Sequence, residues 1–218
     1  MANLPEPSRK RLLSLLLLLR QQEEAFSDKT GGSPAITSRT IARLTGWTDA
    51  TIRRDISQLG IRCGAAKGYP IRELQAAIER IFGAATQGQA RHRCCILGLG
   101  KIGAALLDDS QFSGAGFQMV AGFDESVNRV ELLEASFPLY PASRLEQVIR
   151  QEAIEFALLA VSDQTAVAYG QRLVAAGIRG IVNYTNVLLT VPPQVQVENV
   201  SAIHSLRQLA AGSLLQNE

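Results

Sequence analysis

One hexapeptide limits what this chain can fold into more than any other feature. Residues 93–103 read RCCILGLGKIG: a short apolar run, then Gly98, Gly100 and Gly103 in the spacing G-x-G-x-x-G, with Leu99, Lys101 and Ile102 between them. The first glycine permits a tight turn, the second lets a pyrophosphate approach the backbone, and the third packs helix on strand. A helical stretch is predicted from Ala104 to Asp109, and its N-terminus would offer free N–H groups to phosphates. A second strand, Gln118 to Phe123, ends at Asp124, 21 residues beyond Gly103. An acidic residue there takes ribose hydroxyls and repels a 2′-phosphate, which favours NAD over NADP. A glycine turn without any ligand is the alternative.

The alternation continues with a helix near Val127 to Ala135, a strand near Leu139 and a helix from Leu145 to Gln151. A strand from Phe156 to Val161, a helix from Thr165 to Ala176 and a strand from Gly180 to Asn183 follow. This order predicts an α/β domain with a doubly wound, mostly parallel Rossmann sheet. Ligands lie beyond the carboxyl ends of such strands. That rule nominates Gly98–Gly103, Asp124, the Val161–Ser162 loop, and Asn183, Tyr184 and Thr185, although Ser162 and Asn183 equally fit ordinary strand-end turns. After Pro192–Pro193 and a short strand from Val195 to Val200, a tail helix from Ser201 to Leu215 carries Ile203, Leu206 and Leu209 on one side. That stripe fits a partner subunit or the chain's own sheet.

The front of the chain differs in charge. Residues 1–83 hold 13 Lys/Arg against 8 Asp/Glu, and residues 84–218 hold 9 against 12, which gives +5 and −3. A basic front half suits a polyanion, though uneven surface charge accounts for it equally. A helix is predicted from Ser8 to Phe26, apolar nearly all round in its middle and so surrounded by neighbours. Thr37 or Ser38 caps a short helix with Ile41, Ala42 and Leu44 inward, and Gly46 turns the chain. Thr48 caps the next helix, with Ile52, Ile56 and Leu59 inward and Gly60 as its stop. Two short helices around a glycine turn make a helix-turn-helix.

On the outer face of the second helix lie Ala50, Arg54 and Ser57, flanked by Thr51, Arg53 and Gln58, a set able to enter a major groove. Ser38 and Arg39 open the first helix of the pair as further DNA contacts. Asp55 projects toward the core, where it would hold a neighbouring arginine. GIRCGAAKGYPI (Gly60–Ile71) can form a hairpin wing, with Arg62, Lys67, Gly68 and Tyr69 near phosphates. A helical domain that binds protein remains the alternative. A helix from Arg72 to Phe82, with Leu74, Ile78 and Ile81 on one face, closes the domain. The predicted organisation is residues 1–83 as a winged helix-turn-helix domain, 84–92 as linker, 93–200 as Rossmann domain and 201–218 as a dimerisation helix.

Cys63, Cys94 and Cys95 show no metal-ligand spacing, so no metal site and no structural disulfide are expected, and a reducing cytoplasm fits. The apolar run Leu12–Leu19 is eight residues long, against the roughly 20 that span a bilayer. No membrane partner is expected. A dehydrogenase would need a proton donor or acceptor near its substrate. The histidines are His92, in the linker, and His204, in the tail helix; Tyr184 and Cys95 stay open as alternatives, but a non-enzyme is expected.

Taken together, these stretches resemble the Rex family of redox-sensing repressors, along nearly the whole chain. The likeness rests on Arg11–Leu12, ATIRRDIS (Ala50–Ser57), KGY (Lys67–Tyr69), GLGKIG, Phe123–Asp124, GIRGIVNYT and VPPQVQVENV. It implies a homodimer with a swapped C-terminal helix, two recognition helices on palindromic double-stranded operator DNA, and NAD(H) as the sensed cofactor, with NADH as the releasing ligand. It implies that Arg11 is a switch residue. The sequence also departs from the family: Cys63–Ala66 replaces a basic wing tip, Ser162 replaces a proline, Asp109 a tyrosine and Ser201 an aspartate. The last two are associated with the nicotinamide-linked switch. A Rex-like regulator of another nucleotide or a coenzyme A-type ligand is therefore the alternative.

Overall fold

The computed structural model describes residues 4–27, 35–61, 68–82, 92–108 and 110–214. Two compact units are formed, Met1–Gln87 and Gly88–Glu218. His92 already opens the first strand of the second unit, one residue inside the expected linker.

In the first unit, α1 (Glu6–Ser27), β1 (Ala35–Ile36), α2 (Ser38–Thr45), α3 (Asp49–Ser57), β2 (Tyr69–Pro70) and α4 (Ile71–Phe82) enclose one core. Helix α1 is more one-sided than its sequence suggests. Leu12, Leu15, Leu16 and Leu19 are buried, whereas Leu13 and Leu17 are exposed. Thr37, and not Ser38, caps α2 by accepting the Thr40 N–H at 3.1 Å. Thr48 caps α3 through the Thr51 N–H at 3.2 Å. Between them Gly46 takes a φ of +75° and donates its N–H to the Ala42 carbonyl, a left-handed turn that glycine adopts without steric cost. Ile41, Ile52, Ile56 and Leu59 face inward as expected. Leu44 and Ile81 do not, because each sits in the last turn of its helix, where the helix outruns the core. Of the expected wing, β2 pairs antiparallel with β1; Arg62, Cys63 and Lys67 lie outside the described residues.

The second unit contains β3 (His92–Leu97), α5 (Lys101–Ala105), α6 (Ser110–Gly114), β4 (Phe117–Asp124), α7 (Val127–Leu132), β5 (Leu139–Pro141), α8 (Leu145–Gln151), β6 (Phe156–Leu159), α9 (Asp163–Ala176), β7 (Gly180–Asn183), β8 (Gln196–Asn199) and α10 (Ala202–Leu214). The strands form one six-stranded sheet in the order β5-β4-β3-β6-β7-β8, with every neighbouring pair parallel. Strand order reverses between β3 and β6, so the crevice beyond their carboxyl ends is where such a sheet binds ligands. Continuous apolar strands such as Cys94–Leu97 are buried, as a sheet covered on both faces requires. Burial pushes the Cys94 thiol up to about 12, and the Cys95 thiol is also raised. Both are packing residues.

Helix α10 leaves Ile203, Leu206 and Leu209 exposed, at 54%, 65% and 71%. Of the two expectations for that stripe, packing on the chain's own sheet does not occur. No helix of the described residues is long and apolar enough to cross a membrane.

Candidate functional site

A cleft of about 320 Å³ lies at the carboxyl ends of β3, β4 and β6, lined among others by Gly98, Gly100, Lys101, Ile102, Asp124, Val161 and Ser162. The three glycines divide their tasks as the spacing predicts. A Cβ on Gly98, whose φ is +95°, would meet the Ala160 carbonyl at 2.6 Å, and one on Gly103 would meet the Gly98 oxygen at 1.8 Å. A Cβ on Gly100 would meet nothing within 4 Å. Gly98 and Gly103 are therefore closed by backbone, while Gly100 borders open space, which is the room a pyrophosphate needs. The helix after the loop differs from expectation: α5 starts at Lys101 and is five residues long. So short a helix contributes little dipole, and positive charge at the loop comes from the Lys101 side chain.

Asp124 is nearly buried at the tip of β4. Its carboxylate accepts the Leu99 N–H at 2.6 Å and the Ser126 N–H at 2.7 Å, and Arg129 lies 3.2 Å away. The acid thus closes the glycine loop onto β4 and still lines the cleft. Arg129 Nη1 reaches both oxygens, at 3.3 and 3.2 Å, so the roughly four lone-pair sites of the carboxylate are all approached; a ribose hydroxyl there competes with Arg129, whose side chain is half exposed. The residues present fit the adenosine-diphosphate half of a dinucleotide.

Six lining residues were not among the sequence candidates: Leu97 and Ala160, which lie at strand ends, and Glu125, Arg129, Thr165 and Tyr169. Glu125 follows the expected acid directly, and that adjacency was the available signal. Tyr169 lies one helical turn beyond Thr165 in α9 and packs into the core while its hydroxyl end lines the cleft. Conversely, Asn183, Tyr184 and Thr185 do not line the cleft. Asn183 donates to the Val187 carbonyl and to Asn199 Oδ1, while its own oxygen accepts from the Thr185 N–H and hydroxyl. This set shapes the loop after β7. Ser201 caps α10, accepting the His204 N–H at 3.2 Å. Asp109 lies outside the described residues.

In the first unit, α3 presents Ala50, Arg53, Arg54 and Ser57 to solvent. Arg53 is ion-paired with Asp49 one turn back. Thr51 shares a hydroxyl contact with Thr48, and Gln58 forms the C-terminal cap. Arg39 is exposed at the start of α2, beside half-buried Ser38. Tyr69 belongs to the core at 7% exposure, so its ring is not presented to a partner. Gly68 has a φ of +74°, and a Cβ there would meet the Ile36 carbonyl at 2.9 Å; this glycine lets β2 run against β1. On the inner face of α3, Asp55 accepts Arg11 Nε at 2.6 Å, Arg11 Nη2 at 3.0 Å and Ser8 Oγ at 2.8 Å. The expectation that Asp55 holds an arginine is met, and the arginine is the switch candidate Arg11.

A basic helix-turn-helix unit and a Rossmann unit whose cleft fits the adenosine-diphosphate half of a dinucleotide, in one chain, define a class: transcription regulators that answer to a nucleotide ligand. Comparison with known proteins narrows it. The CoA binding domain family matches residues 89–187. The redox-sensing transcriptional repressor Rex of Porphyromonas gingivalis is 30% identical over 200 residues, 90% of this chain and 86% of that protein. Among solved structures, RSP, a Rex-family repressor, was crystallised with beta-NADH and with beta-NAD+ and operator DNA. These structures match with TM-scores of 0.82 and 0.82 at 23% and 24% identity, each over 100% of this chain and over 99% and 97% of theirs. This chain belongs to the Rex family of redox-sensing transcriptional repressors.

Proposed function

We propose that the protein represses transcription from a palindromic operator as a homodimer in the cytoplasm and releases the DNA when NADH accumulates. The observation that carries this reading is the Asp124 carboxylate, seated on the Leu99 N–H beside the open space at Gly100. NAD(H) would lie along Gly98–Gly103, its ribose on Asp124 and its phosphates over Gly100 and Lys101. Val161 and Ser162 would flank it, with Asn183, Tyr184 and Thr185 shaping the adjoining strand ends. Arg54, Ser57 and Ala50 would enter the major groove. Thr51, Arg53, Gln58, Ser38 and Arg39 would border it, with Arg62, Lys67 and Gly68 at the backbone. The exposed stripe on α10 would be the dimer contact, and two-fold symmetry would set the two recognition helices on half-sites about 10 bp apart.

NADH moves such an equilibrium only by its differential affinity. A ~100-fold preference supplies about 2.7 kcal/mol, enough to switch a balanced pair of states. Paired calorimetric titrations with NADH and NAD+ test the reading. NADH binding at least about tenfold tighter than NAD+ supports it, and equal affinities overturn redox sensing. A coenzyme A-type ligand is the second reading, favoured by the domain family matched over residues 89–187. Tighter binding of coenzyme A than of NADH in the same titration would establish it instead.

A further inference from the structure

We propose that Glu125, oriented by Tyr169, reads the exocyclic amine of adenine and so makes the cleft selective for adenine over other purine nucleotides. This rests on the nucleotide reading above and specifies which base the site takes. In a nucleotide the phosphates leave the ribose at C5′ and the base leaves it at C1′, so with the phosphates over Gly100 and the ribose hydroxyls on Asp124 the base is directed away from the glycine loop, past Asp124. The next residue in the chain is Glu125, and both it and Tyr169 line the cleft.

The Tyr169 hydroxyl donates to Glu125 Oε1 at 2.7 Å, and among the described residues it is the donor that Glu125 meets. The ring that carries this hydroxyl is fixed. It is buried in α9 against the sheet, and the Arg172 guanidinium lies 5.2 Å over its face. Arg172 is in turn held by both Glu146 oxygens, at 2.6 and 2.8 Å, and by the Ala142 carbonyl at 2.9 Å. Burial and Glu125 together push the Tyr169 hydroxyl up to about 12, so it remains a donor at any working pH. With one carboxylate oxygen occupied by the tyrosine, the second is a pre-oriented acceptor. Adenine offers an N–H donor at its 6-position. Hypoxanthine in the same pose puts a keto oxygen there, against a carboxylate. Adenosine diphosphate is common to NAD(H) and coenzyme A, so this selection acts on either ligand. Tyr169 is a positioning residue.

The test measures ADP against IDP, and NADH against its hypoxanthine analogue, by calorimetry on the full-length protein. Wild type should favour each adenine ligand by about tenfold, the worth of one hydrogen bond to a charged group at a partly open site. Glu125→Gln should bring both ratios to about one, since an amide can turn its NH2 toward the keto group. Tyr169→Phe should lower them by about threefold, in keeping with an indirect role. Damage to folding would weaken both bases alike and leave the ratios unchanged, which would overturn the assignment, as would a wild-type ratio near one. NADH binding without base selectivity sinks this proposal alone. Loss of both NADH and ADP binding sinks the nucleotide reading with it, and an ADP/IDP preference without an NADH/NAD+ preference sinks only the redox reading.

Discussion

Asp55 and Asp124 are buried to nearly the same degree, 3% and 4% exposed, and each faces one arginine. What differs is the source of their remaining partners. Asp55 is satisfied by side chains from α1, Ser8 and Arg11, more than 40 residues away in sequence. Asp124 is satisfied by the backbone N–H groups of Leu99 and Ser126 at the ends of strands, and its arginine is five residues on. A buried carboxylate held by side chains of another helix fixes how two helices pack. One held by loop backbone at a cleft presents a preset acceptor to whatever enters. Equal burial therefore signifies a lock in one unit and a site in the other.

The largest effect expected from this contrast is a loss confined to the site. Gly100→Glu adds its side chain into open space, so the fold should be kept. The new carboxylate, however, occupies the phosphate approach with like charge. NADH affinity should fall at least about 100-fold by calorimetry, with the unfolding midpoint and operator binding unchanged, and a repressor that NADH cannot release should result. Normal release by NADH would place the dinucleotide elsewhere.

Opposite faces of α3 supply the next effect. Asp55→Ala strands Arg11 and Ser8 around a missing acceptor and should destabilise the first unit by about 2–3 kcal/mol. That is near the low end for breaking a buried pair, since Arg11 keeps some contact with water. Denaturant unfolding of the full chain reads this as an earlier transition of one unit. Arg54→Ala, on the exposed face, should leave that transition in place and cost about 10–100-fold in operator affinity by fluorescence anisotropy, with NADH binding intact. If Asp55→Ala left stability unchanged, the lock would not exist.

The two units were not equally readable in advance. The doubly wound, parallel character of the sheet and the tight backbone fit at Gly98 and Gly103 follow from the alternation of apolar strands with helices and from one motif, because backbone geometry there leaves few residue types possible. Asp124 was legible for the same reason. Asp55 was legible by elimination, as the acid on the apolar side of an amphipathic helix. What stayed hidden depends on contacts far apart in sequence. Tyr169 and Glu125 are 44 residues apart, and nothing local marks the tyrosine as anything but core. Asn183 stands at a strand end, where a ligand residue and an ordinary turn residue fit the sequence equally, and its amide is consumed by its own loop. Leu44 and Ile81 fall on the apolar face by period, and α1 is apolar nearly all round, yet Leu13, Leu17, Leu44 and Ile81 are exposed, because sequence pattern cannot say how wide a face the neighbours cover.

The smallest effect concerns a pair that is neither lock nor site. Arg172 holds the Glu146 carboxyl below its ordinary 4.5 through two hydrogen bonds, and both side chains are about a third exposed. A depressed carboxyl contributes stability that is fully present above 4.5 and is lost as pH falls through the folded value. Glu146→Gln should therefore cost the second unit less than about 1 kcal/mol at pH 7, after screening by water. The gap from wild type should close as pH falls below 4.5, because wild type then loses the same charge. Denaturant midpoints at pH 7 and pH 3 measure it. A gap as large at pH 3 as at pH 7 would mean that Glu146 acts through packing and not through the charge that holds Arg172 over the Tyr169 ring.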